Sequence, residues 1–191
     1  MADTNTVTFG LENVHFCTYS FDSYGDVVLG TPIHQPGAVS LEVSPSEDNY
    51  NFYADNIAYF SQFIDNGFEG TLEVAKFDDT FKTNFLGYVA LDNATGGIAQ
   101  VKGAIRPKVA IIWEFKGDSQ KRRCIAYNVA LGAIQRTYST LEDSVEVATE
   151  TINVNCTGDN ATGIVISTFN EDDAAYSTMF TAPPVPDLPS A

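Results

Sequence analysis

PGAVSLEVSPSEDNYNFYADNIAYFSQFIDNGFEGTLEVAKF, residues 36–77, holds two strand patterns around a long aromatic stretch. Val39, Leu41 and Val43 alternate with small or polar residues, as do Leu72 and Val74 on the far side, with Phe77 beyond them. A period of two marks half-buried strands. Between these strands lie Tyr50, Phe52, Tyr53, Tyr59, Phe60, Phe63 and Phe68, set among Asn, Asp and Gly with no Lys or Arg. The composition predicts a long loop, but exposed rings are disfavoured by about 25 cal/mol per Å² of apolar area. Something must cover them, and two coverings are open: the loop's own domain, or another copy of the protein.

Working outward, Asp78 or Asp79 can cap a helix over about residues 78–86. Phe81, Phe85 and Leu86 fall on one of its faces, and Gly87 suits its C′ position. Tyr88 to Lys102 reads as a hairpin turning at Asp92 to Gly97. Val109, Ile111, Trp113 and Phe115 alternate with Ala110, Ile112 and Glu114, a strand apolar on both faces with Trp113 in the core. After a turn at Lys116 to Gln120, a further strand follows. It is predicted to point Ile125, Tyr127, Val129 and Leu131 one way and Cys124, Ala126, Asn128 and Ala130 the other. Val145 to Thr157 forms a last long strand, and Ile164 to Phe169 a short edge. Residues 170–191 are acidic and then Pro-rich, which predicts an extended, partner-dependent tail. Upstream, Val14 to Tyr19 is a first strand, with Val14, Phe16 and Thr18 on one face and His15, Cys17 and Tyr19 on the other. Residues 21–37 are expected to be a loop with at most a short strand at Val27 to Leu29. Residues 1–9 form a polar N-terminal arm.

The chain of 191 residues fits one domain, able to bury about 70% of its unfolded surface. No stretch approaches about 18 apolar residues, and MADTNTVTFG lacks the positive and apolar regions of a signal peptide. A soluble protein made in a cytoplasm is expected. Cys17, Cys124 and Cys156 have no CxxC spacing and read as reduced core thiols. His15 and His34 lack a partner at metal-ligand spacing and read as structural. No GxSxG, HExxH or P-loop occurs, so neither enzymatic activity nor a cofactor is expected.

Charge is unevenly laid out along a chain of net charge −15. All ten Lys and Arg fall between Lys76 and Arg136, while residues 1–75 hold eleven acids and residues 137–191 nine, with no base in either part. So acidic a chain is a poor nucleic-acid binder, which needs cations for phosphates. Lys121, Arg122 and Arg123 make the one basic cluster. It reads either as a solvated hairpin end or as a set of inter-subunit charge contacts. A basic middle and acidic ends can also set register in a head-to-tail assembly, the bland alternative being a patchy solvated surface.

The segments GLENVHF (Gly10 to Phe16), TPIHQPGAVSLEVSP (Thr31 to Pro45), FYADNIAYF (Phe52 to Phe60) and NGFEGTLEVA (Asn66 to Ala75) resemble the major tail protein of long-tailed, non-contractile phages. The likeness is tightest in these segments and extends to about Ser167. It implies a mainly β, tail-tube-type β-sandwich or barrel with one short helix, a long loop and extended terminal arms. Residues 1–169 would then be a single tail tube domain, followed by the tail at 170–191. The resemblance also implies a virion protein that forms hexameric rings stacked into a hollow tube, through which DNA passes without specific binding. Its partners would be itself, a tape measure protein, a tail terminator and a baseplate-side initiator, and no membrane. Tyr50, Phe52, Tyr53, Tyr59, Phe60 and Phe63 are the expected inter-ring contacts, and an acidic lumen would let DNA slide, the alternative being that the charge only keeps the protein soluble. The alternatives are a tube protein of a contractile tail or type VI secretion system, and a β-sandwich carbohydrate-binding module stacking its rings on sugars.

Overall fold

Residues 8–92, 95–138, 140 and 148–188 are described by the computed structural model, in which 51% of residues are strand and 4% helix. In chain order the elements are β1 (Leu11–Phe21), β2 (Val27–Leu29), β3 (Ile33–His34), β4 (Ala38–Ala54) and β5 (Ile57–Val74). There follow α1 (Asp79–Phe85), β6 (Val89–Ala90), β7 (Ile98–Ala99), β8 (Lys108–Phe115), β9 (Arg123–Arg136), β10 (Glu150–Cys156) and β11 (Ile166–Phe169). One antiparallel sheet runs β2-β1-β8-β9-β10-β5-β4, with β3 beside β1 and β11 beside β9, while β6 and β7 make a separate ribbon. β3 pairs with β1 through His15↔His34 and Phe16↔Ile33, and Gln35, Pro36 and Gly37 alone separate it from β4. The chain thus carries the β1 side of the sheet round to the β4 side by a corner. Buried Gln35 pins that corner: its N–H donates to the Val14 carbonyl at 2.8 Å and its side-chain amide to the carbonyls of Pro36 and Lys76.

The main core lies inside this curl. Val14 and Phe16 of β1, Val109, Ile111 and Trp113 of β8, Ile152 and Val154 of β10, and Leu72 and Val74 of β5 all point into it. α1 covers it, as the spacing of its Phe residues predicts. Asp78 accepts the Phe81 N–H at 2.5 Å as N-cap, and Gly87 follows the last turn at φ +68°. Phe81 stacks on Phe77 at 4.6 Å between centroids and meets Phe16 edge-on at 4.8 Å. Such pairs add about 0.5–1.5 kcal/mol beyond the burial of their area.

A second core lies on the opposite face of β1, β8 and β9. Cys17, Tyr19, Ala110, Ile112, Ile125 and Tyr127 meet there under Met179, with Phe180 packed against them. The expectation of an extended tail is corrected here for Glu171 to Ala182, which fold back as successive turns, while residues 183–188 follow without turns. Met179 is fully buried, and the Tyr127 hydroxyl donates to the Pro184 carbonyl at 3.0 Å. A sheet apolar on both faces needs a cover on each; α1 supplies one and this segment the other.

The predicted facing of β9 holds only in part. Cys124 and Ala126 share the main core with Val129 and Leu131, whereas Ile125 and Tyr127 face the second core. The phase slips at Asn128, which sits at φ +51° and donates its side-chain amide to the Gly158 carbonyl at 2.7 Å. An extra residue in left-handed conformation is a bulge, and Asn tolerates that conformation better than most residues. The bulge falls where the neighbour of β9 changes: β10 pairs with Val129 to Arg136, and β11 with Arg123 to Ala126. In the connection between them, Asp159 is buried and accepts from the Tyr19 hydroxyl at 2.6 Å, the Ala161 and Thr162 N–H groups, and the Thr162 hydroxyl. Burial raises the Asp159 pKa, but these donors more than offset it and hold the carboxyl below its ordinary value.

The three cysteines are buried free thiols, as expected. Burial pushes Cys17 up to about 12 and Cys156 up to about 11. Residues 1–7 of the expected N-terminal arm, 93–94 of the expected hairpin turn, 145–147 of the expected last strand and 189–191 of the expected tail lie outside the described residues.

Candidate assembly interface

The aromatic stretch is a β-hairpin, not the loop its composition predicts. β4 and β5 stay paired from Ala38↔Val74 to Ala54↔Ile57, and Asp55 and Asn56 turn the chain at φ +51° and +62°. Two consecutive positive φ values give the tight hairpin turn whose twist matches the strands, and Asp and Asn are residues that accept them. β10 accompanies β5 from Val74 only as far as Phe68. Beyond that point the hairpin leaves the body as a two-stranded arm, residues 46–67, which at about 3.3 Å per residue projects roughly 30 Å.

Three features mark the shoulder. Pro45, on the edge strand of the sheet, has no N–H to offer a ladder, and the register slips by one between Pro45 and Glu47. Gly67 has φ +92°, and a Cβ there would stand 2.2 Å from the Cys156 carbonyl oxygen, so a side chain cannot be accommodated.

Register sorts the arm's side chains. Directly opposed residues share a face, which places Tyr50 with Gln62, Phe52 with Phe60, Asp48 with Ile64, and Ala54 with Ile57 on one side. On the other side Asn49 opposes Phe63, Asn51 opposes Ser61, and Tyr53 opposes Ala58. Tyr59 is the extra residue of a second bulge, between the Phe52↔Phe60 and Tyr53↔Ala58 pairs. The first face is a stripe of Tyr50, Phe52, Ile57, Phe60 and Ile64, each at least 49% exposed. Tyr53, Tyr59 and Phe63 are 66–73% exposed. Of the two coverings open to these rings, burial within their own domain is found at Phe68, which packs against the main core below the shoulder, and not at the rings of the arm. The arm carries Glu47, Asp48, Asp55 and Asp65 and no base.

Each member of the basic cluster has an anion within the chain. Lys121 meets Glu171 at 2.6 Å on the surface. Arg122 meets Asp118 at 2.6 Å, and this guanidinium, with the N–H groups of Gln120 and Arg122, holds the buried Asp118 carboxyl below its ordinary value against the opposing effect of burial. Arg123 bonds Glu114 at 2.7 Å and the Tyr176 carbonyl at 2.6 Å, and lies over the rings of Tyr176 and Phe180 at 3.9 and 4.4 Å. The hairpin end therefore fastens the C-terminal segment to the body. The sequence signal for this is Tyr176, Met179 and Phe180, apolar residues set in an otherwise acidic and small-residue stretch.

A further surface escapes sequence reasoning. Away from the main core, β4, β5, β10 and β9 present rows of polar residues: Glu42, Thr71 and Asn153 in one, Ser44, Glu69 and Asn155 in the next, and Ser40, Glu73, Thr151 and Gln135 in a third. The first two rows line a hollow of about 600 Å³ that has two carboxylates and no cation in its wall. Among the described residues no cluster of His, Cys, Asp and Glu could hold a metal ion, and no helix is long and apolar enough to cross a membrane.

No protein-family model and no curated protein matches the chain. Solved structures show loose likenesses. A chain of an extracellular contractile injection system, the PVC sheath–tube complex in its extended state, is 12% identical with a TM-score of 0.43, over 87% of this chain and 94% of that one. A chain of the anti-feeding prophage baseplate is 8% identical with a TM-score of 0.44, over 89% and 99%. A chain of the tube-terminating cap of the same prophage is 12% identical with a TM-score of 0.42, over 89% and 99%. At such identities and scores, none of them lends this chain a role.

Proposed function

We propose that the protein is the tube subunit of a phage tail, of the long-tailed, non-contractile kind its sequence segments resemble, and that it works by self-association into stacked rings. The observation that carries this reading is the arm. A two-stranded ribbon with an uncovered aromatic face is marginal in water by itself, and a stripe of that size on a soluble protein marks a contact surface. Tyr50, Phe52, Tyr53, Tyr59, Phe60 and Phe63 are its candidate inter-ring contacts. β4 is an edge strand whose outer backbone groups a neighbour in the ring can satisfy, removing the aggregation hazard of an open edge. The polar rows with Glu42, Glu69 and Glu73 suit a wall past which DNA slides, since like charge prevents sticking. A tape measure protein, a tail terminator and a baseplate-side initiator are the partners such a subunit needs.

Negative-stain electron microscopy across a concentration series, with size-exclusion chromatography alongside, tests this reading. Rings or hollow tubes above a threshold concentration are the expected result. Monomers at every concentration, together with retention on a polysaccharide column, would instead identify a carbohydrate-binding module.

A further inference from the structure

The arm needs a seat, and the body offers one. The described residues among 88–108, namely 88–92 and 95–108, fold into a small lobe: β6 pairs with β7, the Tyr88 hydroxyl donates to Gln100 at 2.9 Å, and Gly87 packs against Ala104 and the Ile105 carbonyl. This lobe exposes Val89, Leu91, Val101 and Ile105, the last at 92%. It also carries Lys102, Arg106 and Lys108, none of which has a carboxylate within salt-bridge distance among the described residues; the ion pairs there use Lys82, Lys121, Arg122, Arg123 and Arg136.

Other exposed apolar groups keep the wrong company. Phe21, Tyr24 and Val28 stand beside Asp22 and Asp26, and Val185 and Leu188 flank Asp187, so an arm bearing four acids would be repelled. Phe9 is joined to the Lys116 turn, a single ring with a single cation. The lobe combines several apolar side chains with cations that have no carboxylate partner among the described residues, Arg106 donating to the Leu131 carbonyl instead, and so matches an arm that combines apolar side chains with acids.

We propose that the arm of one subunit docks on the 88–108 lobe of the next, its aromatic stripe against Val101 and Ile105 and its carboxylates against Lys102 and Lys108. The inference rests on the tube reading and names the partner surface of the same arm. Because the two surfaces differ, the contact is heterologous: each subunit gives an arm and receives one, so the assembly has a direction and leaves a vacant lobe at one end.

Charge reversal tests it with the full chain. Lys102→Glu with Lys108→Glu alters two exposed side chains, and Glu47→Lys with Asp48→Lys reverses the base of the arm. Each variant alone is expected to raise the threshold concentration for assembly about tenfold or more, since like charges then face each other. An equimolar mixture is expected to assemble near the wild-type threshold, because the acidic arm of one variant then meets the basic lobe of the other, and the lysine-bearing arm base of the second meets the acidic lobe of the first. If the lobe variant assembles like wild type while Phe52→Ser with Phe60→Ser does not, the arm docks elsewhere and the tube reading stands. A mixture no better than its components also overturns the seat. If the wild type never assembles, the tube reading fails, and this one with it.

Discussion

Replacing Phe52 and Phe60 with Ser should raise the threshold concentration for assembly steeply without unfolding the subunit. The two rings oppose each other on the arm and are 50% and 49% exposed. A Phe side chain has roughly 200 Å² to bury, so about 100 Å² per ring remains for a partner. At about 25 cal/mol per Å² that is ~2.5 kcal/mol each. Ordering the side chains on docking takes back about 1 kcal/mol per ring, leaving ~3 kcal/mol for the pair and a rise of about 100-fold in threshold concentration. The melting temperature of the monomer should move by less than about 2 °C, because both rings lie beyond the point where β10 leaves β5. Sedimentation and negative-stain microscopy over a concentration series read the first quantity, and circular dichroism the second. Tubes at the wild-type threshold would refute the reasoning. So would a large drop in melting temperature, which would show that the rings hold the body together.

Met179→Ala should cost about 3 kcal/mol in urea unfolding, since the side chain is fully buried in the second core, and should render residues 170–188 sensitive to limited proteolysis while the wild type resists. Asn128→Ala should cost about 2 kcal/mol by the same measurement, combining the left-handed backbone with loss of the bond to Gly158; Asn128→Gly should cost less. Asp159 and Asp118 have folded pKa values below the ordinary 3.8, so the stability each contributes is present above that value and lost as pH falls through the lower, folded value. Denaturation midpoints should therefore fall on acidification below pH 3.8, and less steeply in Asp159→Asn, whose neutral side chain no longer titrates.

The strands that make the body were legible because their side chains alternate against two cores. β8 has no wet face, and its run of Val109 to Trp113 announces that. The capped helix was equally plain from Asp78, its Phe spacing and Gly87. The arm was not: with no core to face, its Asn and Asp content imitates a loop. Its hairpin signal is there in Asn49-Tyr50-Asn51-Phe52, an alternation running into Asp55-Asn56. The slip at Asn128 arises from a change of neighbouring strand, which only the sheet topology contains. The folded C-terminal segment was hidden by its prolines, while Tyr176, Met179 and Phe180 carry the contacts that fix it. The rings of the expected interface were identifiable by type, but their grouping into one stripe depends on register.

The order of strands also sets a timetable. Cys17 of β1 pairs with Ala110 of β8, and Ala110 is covered in turn by the segment around Met179. The first strand must therefore wait about 90 residues for its neighbour, and both wait further for their cover. Non-local pairing of this kind makes folding slow, and the arm's rings are exposed to other chains throughout that delay. Four carboxylates and no base within residues 46–67 keep nascent arms repelling one another. On the docking proposed above, the acids on the arm act before assembly as well as during it, deferring contact between aromatic rings until a finished body can present a lobe to receive it.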